Sequence, residues 1–500
     1  MLNIFPSKKE FIRQAEKSGK FTPVCAELPF MPPRRAFGPV ESPGCFLFES
    51  IKGPEKIARY SFIGAEPFMI FRAKNGVVET ISGDRKFRSA AHPLKMLKEL
   101  LGVYPLDAPE GLPPFAGGAA GIISYDFVHY LERLPRTAVD DLGIPDAHFM
   151  LVDTVAAFDR KLRKTFLISC PGARQILTGY GEAAGEPGMY YDEARGKIDN
   201  LYKKLASGIS ASGPIRREPS PPARGTIEIR HEMRKKDYMD MVKRAKEYIR
   251  AGDIFQANLS QRVSACIGDT TAWHIYRLLS GINPSPFAAY MNMGDYCIAS
   301  SSPERLVKVS GGIVETRPIA GTRPRGADAE DDSRMRNELL LNEKERAEHL
   351  MLIDLERNDL GRISDYGSVE VDELMITEDY SHVIHIVSNI RGSVSKGRDC
   401  FDAIRAAFPG GTITGVPKVR CMEIIDELEP VARGPYTGSA GYISFTGAMD
   451  LNIIIRTFVI KDGMAYVQAG AGIVADSDPE REYYETLKKA EALIKTLGIL

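Results

Sequence analysis

The amino-acid sequence predicts a mixed α/β protein with two regions. Its 500 residues exceed what one ordinary hydrophobic core holds, so we expect two domains or one large composite domain. As far as about residue 170, short β-rich runs such as CFLFESI and YSFIGAEPFMIF alternate with Gly/Pro turns. From residue 226 onward, helix and strand patterns follow each other closely. Together these observations predict an α/β protein.

The individual elements follow from hydrophobic periodicity and from Gly, Pro and capping residues. A terminal helix is predicted to begin near Pro479, because Asp478 suits the N-cap and proline suits the first helical position. The other predicted helices lie near residues 93–101, 190–207, 235–250, 334–357 and 417–428. Strands are predicted at residues 254–265 and 287–299, with a hairpin at 306–322.

The boundary between the two regions falls in a stretch rich in Pro, Ser and Gly, near residues 210–225. We expect an N-terminal region of residues 1–215 and a C-terminal region of residues 226–500. The sequence shows no internal repeat and no dinucleotide motif. GGTITGVPK lacks the Gly-Lys-Ser/Thr ending of a nucleotide-binding loop.

The composition excludes several classes of protein. An apolar fraction of 44% and a formal charge of −1 leave no basic excess for nucleic acid or an anionic membrane. No apolar run approaches the roughly 18 to 20 residues that span a bilayer, and the start MLNIFPSKKEF lacks a signal-peptide pattern. Seven single cysteines without a CxxC pair are typical of reduced thiols. We therefore expect a cytoplasmic protein that binds neither nucleic acid nor membrane.

The C-terminal region carries polar residues flanked by glycine, in segments such as TRPIAGTRPRG, FPGGTITGVPK and QAGAGIV. Glycine permits close backbone approach, and successive N–H groups form nests that bind anions. Arg456, Lys418 and Arg323 add positive charge, and a helix start near Pro417 adds unpaired N–H groups. The joint pattern predicts a site for a small carboxylate, although each segment alone is more typical of an ordinary turn.

Three glutamates are candidates for a metal site. Glu482 and Glu485 lie three residues apart on the terminal helix and share a face, and Glu348 lies on the helix predicted at 334–357. Two such carboxylates facing one cavity would suit Mg²⁺. Spacing alone equally allows surface pairing of Glu485 with Lys488 or Lys489. A solvated helix position is equally open for Glu348.

His385 lies in an apolar, β-branched run, SHVIHIVSNIRG. Such a histidine is either a hydrogen-bonded core residue or a general acid or base. The residues alone predict an α/β enzyme acting on a small anion, with substrate and reaction open.

At TRPIAGTRPRG, MLIDLERNDLGR, FPGGTITGVPKVRCMEIIDELEP and QAGAGIVADSDPE the sequence closely resembles the chorismate-utilising enzymes. Within that family it resembles the large subunits of two aminating branches, anthranilate synthase and aminodeoxychorismate synthase. The likeness extends to CFLFES, RYSFIGAEP and LPPFAGGAAGIISYD, and so covers nearly the whole chain. It implies a large two-layer sandwich of antiparallel β-sheets with helices packed outside.

The resemblance also implies a metal site. Glu348 and Glu485 match ligands of a Mg²⁺ ion that holds the ring carboxylate of chorismate. Glu482 matches a third carboxylate that acts through water. A bound metal would also assist the loss of a ring hydroxyl, which is a poor leaving group.

Further roles follow from the same motifs. His385 matches a proposed acid that assists loss of the ring hydroxyl, Glu304 a second acid/base carboxylate, and Thr412 a supporting hydroxyl. The positions that match substrate-binding residues, or lie beside them, are Gly321, Thr322, Tyr436, Arg456, Gly470, Ala471, Gly472, Lys418 and Gln256.

Two positions separate the branches of the family. Gln256 stands where water-adding relatives carry a lysine base, and an amide cannot deprotonate water at neutral pH. Ala320 stands where many aminodeoxychorismate synthases carry a lysine that attacks the ring, so here ammonia itself must add. This favours conversion of chorismate to anthranilate and pyruvate. Asn258 and GGTITG resemble the aminodeoxychorismate branch at least as well, so 4-amino-4-deoxychorismate remains the alternative product.

A partner subunit is expected, because no Gly-flanked cysteine stands in a Cys-His-Glu arrangement for glutamine hydrolysis. Ammonia would come from a glutamine amidotransferase subunit, component II. A different class of protein, a silent chorismate- or tryptophan-binding regulator, is the other alternative. The intact Glu348, Glu485 and His385 argue against it.

A tryptophan feedback site is also implied by the resemblance. Ser50 of CFLFES and Pro286 of NPSP match the inhibitor motif. Phe287 and Ala288 follow, where sensitive relatives usually carry Tyr and Met. We expect a retained or weakened response to tryptophan.

Overall fold

A computed structural model describes residues 2–179, 185–210, 227–380 and 383–500. Its helices are α1 (Lys8–Ser18), α2 (Pro33–Phe37), α3 (Pro93–Gly102), α4 (Ala173–Thr178), α5 (Pro187–Ser210), α6 (Lys235–Ala251), α7 (Ala272–Ile282), α8 (Ala329–Leu341), α9 (Glu343–Gly361), α10 (Cys400–Ala407), α11 (Lys418–Leu428) and α12 (Pro479–Leu497). Short 3₁₀ turns lie at Gly38–Val40, Tyr125–Tyr130 and Gly411–Ile413.

The strands of the N-terminal region are β1 (Ile4–Phe5), β2 (Val24–Pro29), β3 (Cys45–Glu49), β4 (Tyr60–Gly64), β5 (Met69–Lys74), β6 (Val77–Ser82), β7 (Arg85–Ser89), β8 (Gly118–Ile123), β9 (Ala147–Val152), β10 (Thr154–Asp159) and β11 (Lys164–Ser169). Those of the C-terminal region are β12 (Ile229–His231), β13 (Gln256–Cys266), β14 (Phe287–Asn292), β15 (Cys297–Ser302), β16 (Arg305–Ser310), β17 (Ile313–Arg317), β18 (Ile319–Pro324), β19 (Glu370–Asp379), β20 (Val383–Ser393), β21 (Gly415–Val416), β22 (Ser439–Ser444), β23 (Met449–Asn452), β24 (Thr457–Lys461) and β25 (Met464–Ile473).

The strands form two antiparallel sheets. The 13-stranded sheet runs β1-β2-β11-β10-β4-β3-β14-β15-β24-β25-β13-β12, with β21 on β13. The 12-stranded sheet runs β18-β20-β17-β16-β23-β22-β8-β9-β5-β6-β7, with β19 on β20. Strands of the two regions are neighbours in both sheets, at β3–β14 and at β8–β22. The predicted boundary itself falls largely outside the described residues, and the division stays a prediction.

Side chains alternate between two cores, as a pleated strand requires. On β10, Val155 and Ala157 face the core between the sheets, which also holds Met150 of the other sheet. Ala156 and Phe158 face a core on the opposite side, together with residues of α1, α5, α7 and α12. A further core packs α3, α6, α9, α10 and α11 against both sheets. The predicted sandwich of antiparallel sheets with outer helices is confirmed.

Most predicted elements are present, and Asp478 caps α12 by accepting from the N–H groups of Glu480 and Arg481. The single helix predicted at 334–357 is wrong. α8 and α9 meet at Asn342, whose side chain accepts from the N–H of Glu345 at 3.0 Å and so starts a new helix. The strand predicted at 287–299 is likewise two strands, β14 and β15.

Two further predictions concern the surface and the cysteines. Among the helices of the described residues, none has the length and apolarity needed to cross a membrane. All seven cysteines are free, and six of them are at least partly buried. This agrees with their prediction as single thiols.

Candidate functional site

The structure brings three predicted site residues together, from strands of both sheets. Glu304 follows β15, His385 lies on β20, and Arg456 precedes β24. Arg456 influences the pKa of both other side chains, so its guanidinium lies near both. Arg456 has a φ of 51°, a backbone conformation that residues other than glycine adopt rarely and only where the surrounding structure enforces it. The cluster places a guanidinium beside two side chains that can each carry a proton.

Glu304 is buried close to Thr412 and Arg456. Its residue is 5% exposed, and burial raises the pKa of its carboxyl to about 7. Thr412 lies close enough to lower that pKa, yet Oε1 of Glu304 and Oγ1 of Thr412 make no hydrogen bond of normal geometry within the described chain. Near neutral pH a large fraction of this carboxyl is therefore protonated, with a free oxygen to present to a ligand.

His385 is 2% exposed and pairs in register with Thr322 of β18. Its Nδ1 lies 2.9 Å from Oγ1 of Thr322 and 3.2 Å from the carbonyl oxygen of Gly321. Because a carbonyl only accepts, Nδ1 carries the hydrogen and Nε2 keeps its lone pair. Burial, with help from Arg456, lowers the pKa of His385 to about 3. The ring is neutral at pH 7 and Nε2 is a proton acceptor.

Gly470, Ala471 and Gly472 lie on β25, opposite Ser260, Leu259 and Asn258 of β13. A methyl group on Gly472 would meet Nε2 of Gln256 at 2.5 Å. One on Gly470 would meet Oδ1 of Asn258 at 2.3 Å and the hydroxyl of Tyr436 at 2.8 Å. The predicted glycines are thus needed for space, because polar side chains cover them.

Lys418 is placed differently from its predicted role. Its Nζ donates to Asp359 at 2.6 Å and to the carbonyl of Ala407 at 3.3 Å. Both members of this ion pair are largely buried. The charge of Lys418 is therefore engaged by Asp359, and its role in anion binding stays a prediction.

The three candidate metal carboxylates interact. Burial raises the pKa of Glu348, and Glu485 raises it further. Burial also raises the pKa of Glu482, again with a contribution from Glu485. Glu485 pairs with Lys489 at 2.9 Å, and Lys344 lies 3.9 Å from Glu348. The helices α9 and α12 thus bring these glutamates close enough to repel one another.

No group of three or more His, Cys, Asp or Glu side chains in the described ranges is arranged as a metal site. One carboxylate oxygen, Oε2 of Glu482, is buried without a hydrogen-bond partner among those residues. Glu485 forms the surface pair with Lys489 that the spacing allowed, and Glu348 lies near Lys344, a pair that was not predicted.

The predicted inhibitor residues also meet. Ser50 follows β3, and its hydroxyl donates to the carbonyl of Tyr60 at 2.8 Å. The next residue, Ile51, donates from its N–H to the carbonyl of Ser285 at 3.1 Å. Phe287 and Ala288 begin β14, which pairs with β3, and Pro286 directly precedes them. The two motifs therefore lie side by side although more than 230 residues separate them in the sequence.

Two features of the site were missed in the sequence. The ring of Tyr380 meets that of His385 edge-on, with centroids 5.2 Å apart, and its hydroxyl donates to Glu378 at 3.0 Å. Arg433 pairs with Glu429 at 2.7 Å and its guanidinium lies 5.6 Å from the ring centre of Tyr436. No local pattern marks Tyr380. The i, i+4 spacing of Glu429 and Arg433 is a signal for their pair.

Comparison with known proteins decides the family. The chain matches the family described as chorismate binding enzyme over residues 43–495. This chain belongs to the chorismate-binding enzyme family. It is 44% identical to anthranilate synthase component 1 of Acetivibrio thermocellus, over 91% of this chain and 90% of that protein. It is 40% identical to aminodeoxychorismate synthase component 1 of Bacillus subtilis (strain 168), over 91% of each chain.

A solved structure agrees with the assignment. Anthranilate synthase component I from Streptococcus pneumoniae TIGR4 superposes with a TM-score of 0.74 at 36% identity, over 87% of this chain and 92% of that one. The resemblance to the chorismate-binding enzymes is therefore confirmed over most of the chain, and with it the fold.

Proposed function

We propose that this chorismate-binding enzyme is the large subunit of an anthranilate synthase, which converts chorismate and ammonia to anthranilate and pyruvate. The observation that carries the proposal is the buried Glu304 beside Arg456, a carboxyl whose raised pKa of about 7 suits an acid next to a group that can bind an anion. The likeness to anthranilate synthase component 1 supports the choice of product. Ala320, which lies beside Gly321 on β18, offers no amine to attack the ring.

In this proposal Glu304 is the acid of the first step. The lone pair of ammonia forms a C–N bond to the ring, and the C–O bond of the ring hydroxyl breaks. The proton of Glu304 leaves with that oxygen as water, and the new ammonium group returns a proton to Glu304. A pKa near the working pH favours such a two-way transfer.

His385 suits the second step better than the first. Its neutral ring has an unpaired Nε2, which takes the ring proton as the C–O bond to the enolpyruvyl group breaks. The same proton then passes to the released enolpyruvate, which becomes pyruvate. Arg456 holds a substrate carboxylate throughout. The proposed roles of Thr322 and Gly321 are to fix the tautomer of His385.

Mg²⁺ is part of the proposal, with Glu348 and Glu485 as ligands and Glu482 beside them. Mg²⁺ takes one or two protein carboxylates and completes its shell with substrate oxygens and water. The residues fit this ion, because they repel one another and Oε2 of Glu482 is buried without a donor in the described chain. Bound there, Mg²⁺ would hold the ring carboxylate and neutralise negative charge.

A glutamine amidotransferase subunit, component II, is the proposed partner, and the cytoplasm the proposed compartment. The relatives are named component 1, which supports a second component. Free cysteines are typical of a reducing compartment.

The function is tested by mixing the purified chain with chorismate, Mg²⁺ and ammonium chloride. We expect fluorescent anthranilate and an equal amount of pyruvate. With glutamine as the only nitrogen source, the chain alone should form no product. Accumulation of 4-amino-4-deoxychorismate would move the chain to the aminodeoxychorismate synthase branch, to which the Bacillus subtilis relative belongs by name. Binding without turnover would make it a regulatory protein.

The metal proposal predicts a loss of affinity for Mg²⁺. Chelation should stop turnover, and Glu348→Ala should raise the Mg²⁺ concentration for half-maximal rate by at least about tenfold. Glu491→Ala is the control, because Glu491 is an exposed residue of α12 that pairs with Lys488. Equal Mg²⁺ dependence of both variants would contradict the assignment of Glu348.

The tryptophan site, which we also propose, predicts an effect of Ser50. Ser50→Ala removes the hydroxyl that donates to the carbonyl of Tyr60 and so holds the end of β3 in place. Because the proposed site would lose one hydrogen bond that fixes its shape, tryptophan should bind about fivefold more weakly, the value of one hydrogen bond. Calorimetry measures this affinity directly. Ser82→Ala is a matched control, because Ser82 donates to the carbonyl of Phe68 at the same distance of 2.8 Å. Unchanged tryptophan affinity in Ser50→Ala would remove the site from this position.

A further inference from the structure

Two side-chain oxygens on one face of β13 are buried without a donor. Gln256 and Asn258 lie two residues apart, so their side chains point to the same side of the strand. Oε1 of Gln256 and Oδ1 of Asn258 have no hydrogen-bond partner anywhere in the described ranges. Asn258 is only 8% exposed. A buried polar atom without a partner is costly, and functional sites are where such atoms persist.

The surroundings of these oxygens belong to the proposed substrate site. Oδ1 of Asn258 and the hydroxyl of Tyr436 lie on the same side of Gly470, since an added methyl group would meet both. Gln256 covers Gly472 in the same way. The free oxygens therefore line the wall to which the substrate-binding glycines belong.

The wall is also held rigidly. Arg433 donates to the carbonyl of Asn258 at 2.7 Å, and the N–H of Asn258 donates to the carbonyl of Thr414 at 2.8 Å. Glu429 accepts from the N–H of Ser260 at 2.8 Å. The backbone on both sides of the Asn258 side chain is thus fixed, as a preorganised binding site requires.

We infer that Asn258, with Gln256, forms the binding site for the ammonia that attacks the ring. The inference rests on the proposed function and adds to it a binding site for the second substrate. Two acceptor oxygens bind a donor, and they repel the carboxylates of chorismate. Ammonia donates through its N–H bonds and leaves its lone pair pointing away from the wall, toward the ring. Because amide oxygens carry no full charge, they bind neutral ammonia without favouring the ammonium ion, which cannot attack.

The test uses the full chain with chorismate, Mg²⁺ and ammonium chloride, and either aminated product can be measured. Asn258→Leu keeps the approximate size of the side chain and removes the acceptor. We expect its KM for ammonia to rise about tenfold, the upper value for one neutral hydrogen bond, while its KM for chorismate changes less than about twofold. Asn258→Asp keeps acceptor oxygens without any donor, so its KM for total ammonia should not rise, whereas its kcat should fall because the charge favours the ammonium ion.

The controls separate binding from folding. Asn292→Leu removes an amide from β14 of the same sheet, where it bonds to Glu41, and should leave both KM values unchanged. Thermal unfolding of each variant reports on stability. An unchanged KM for ammonia in Asn258→Leu, or a parallel rise in both KM values, would contradict the proposed ammonia-binding site. So would an equal rise in Asn258→Leu and Asn258→Asp, because the amide would then act as a donor. Failure of the unaltered chain to aminate chorismate would instead refute the proposed function.

Discussion

Glu304→Gln is expected to lower the rate of amination at pH 7 by a factor of about 10² to 10⁴, the usual contribution of a general acid. Glutamine fills nearly the same space and can donate a hydrogen bond, yet it cannot release a proton. The leaving hydroxyl would then depart unprotonated. The measurement is kcat from anthranilate fluorescence with ammonia as the nitrogen source.

The pH profile distinguishes this role from a structural one. Because burial raises the pKa of Glu304 to about 7, the acid form is present below that pH and disappears above it. The rate of the unaltered enzyme should fall as pH rises through about 7, and this limb should be absent from the residual rate of Glu304→Gln. A retained limb would assign the titration to another group.

The stability of the unaltered chain should also depend on this proton. The folded chain keeps the proton of Glu304 up to about pH 7, whereas the unfolded chain loses it near 4.5. The folded state therefore binds more protons in this window, and stability falls as pH rises from 4.5 to 7. Glutamine does not titrate, so Glu304→Gln removes that loss. The free energy of unfolding of the variant, minus that of the unaltered chain, should therefore be roughly 3 kcal/mol larger above pH 7 than at pH 4.5.

Glu315→Gln is the control for both measurements. Glu315 lies on β17, and its pKa is lowered by Lys308, its partner at 2.8 Å, in spite of burial. Its replacement should leave the limb near pH 7 in place. It should also lack the relative gain in stability above that pH.

The sequence predicted the helices and strands wherever local signals were strong. The cap at Asp478 is a local feature, and it was placed correctly. The break at Asn342 was missed because Glu, Lys and Arg, which are good helix formers, follow it directly, although asparagine is a frequent N-cap. The capping box of Ser7 and Glu10, which starts α1, is a local signal for a helix that the sequence predictions did not include.

The site was less accessible to sequence reasoning, because its chemistry depends on burial and on distant partners. Motif resemblance selected Glu304 and His385, but the pKa of each follows from neighbours that only the fold supplies. The same holds for Lys418, whose spacing suggested an anion site. Its actual partner, Asp359, lies on a different helix. Long-range pairing of this kind leaves no periodic signal along the chain.

The largest effect on stability is expected for Arg433→Met. The Arg433 and Glu429 side chains are 1% and 3% exposed, and they pair at 2.7 Å. Arg433 also donates to the carbonyl oxygens of Ile413 and Asn258, so one guanidinium ties α11 to β13 and to the turn before β21. Methionine would leave Glu429 buried without its counter-charge. Breaking a buried pair in this way costs about 3 to 5 kcal/mol.

A second ion pair of the same spacing provides the matched control for this prediction. Arg398 and Asp402 are also four residues apart, but the Arg398 side chain is 52% exposed, so Arg398→Met should cost less than about 1 kcal/mol. Urea unfolding of both variants measures the difference. Similar midpoints for the two would show that the Glu429 pair does not stabilise the fold. A loss confined to Arg433→Met would show that this buried pair stabilises the fold, at a point where Arg433 also contacts Asn258 and Tyr436.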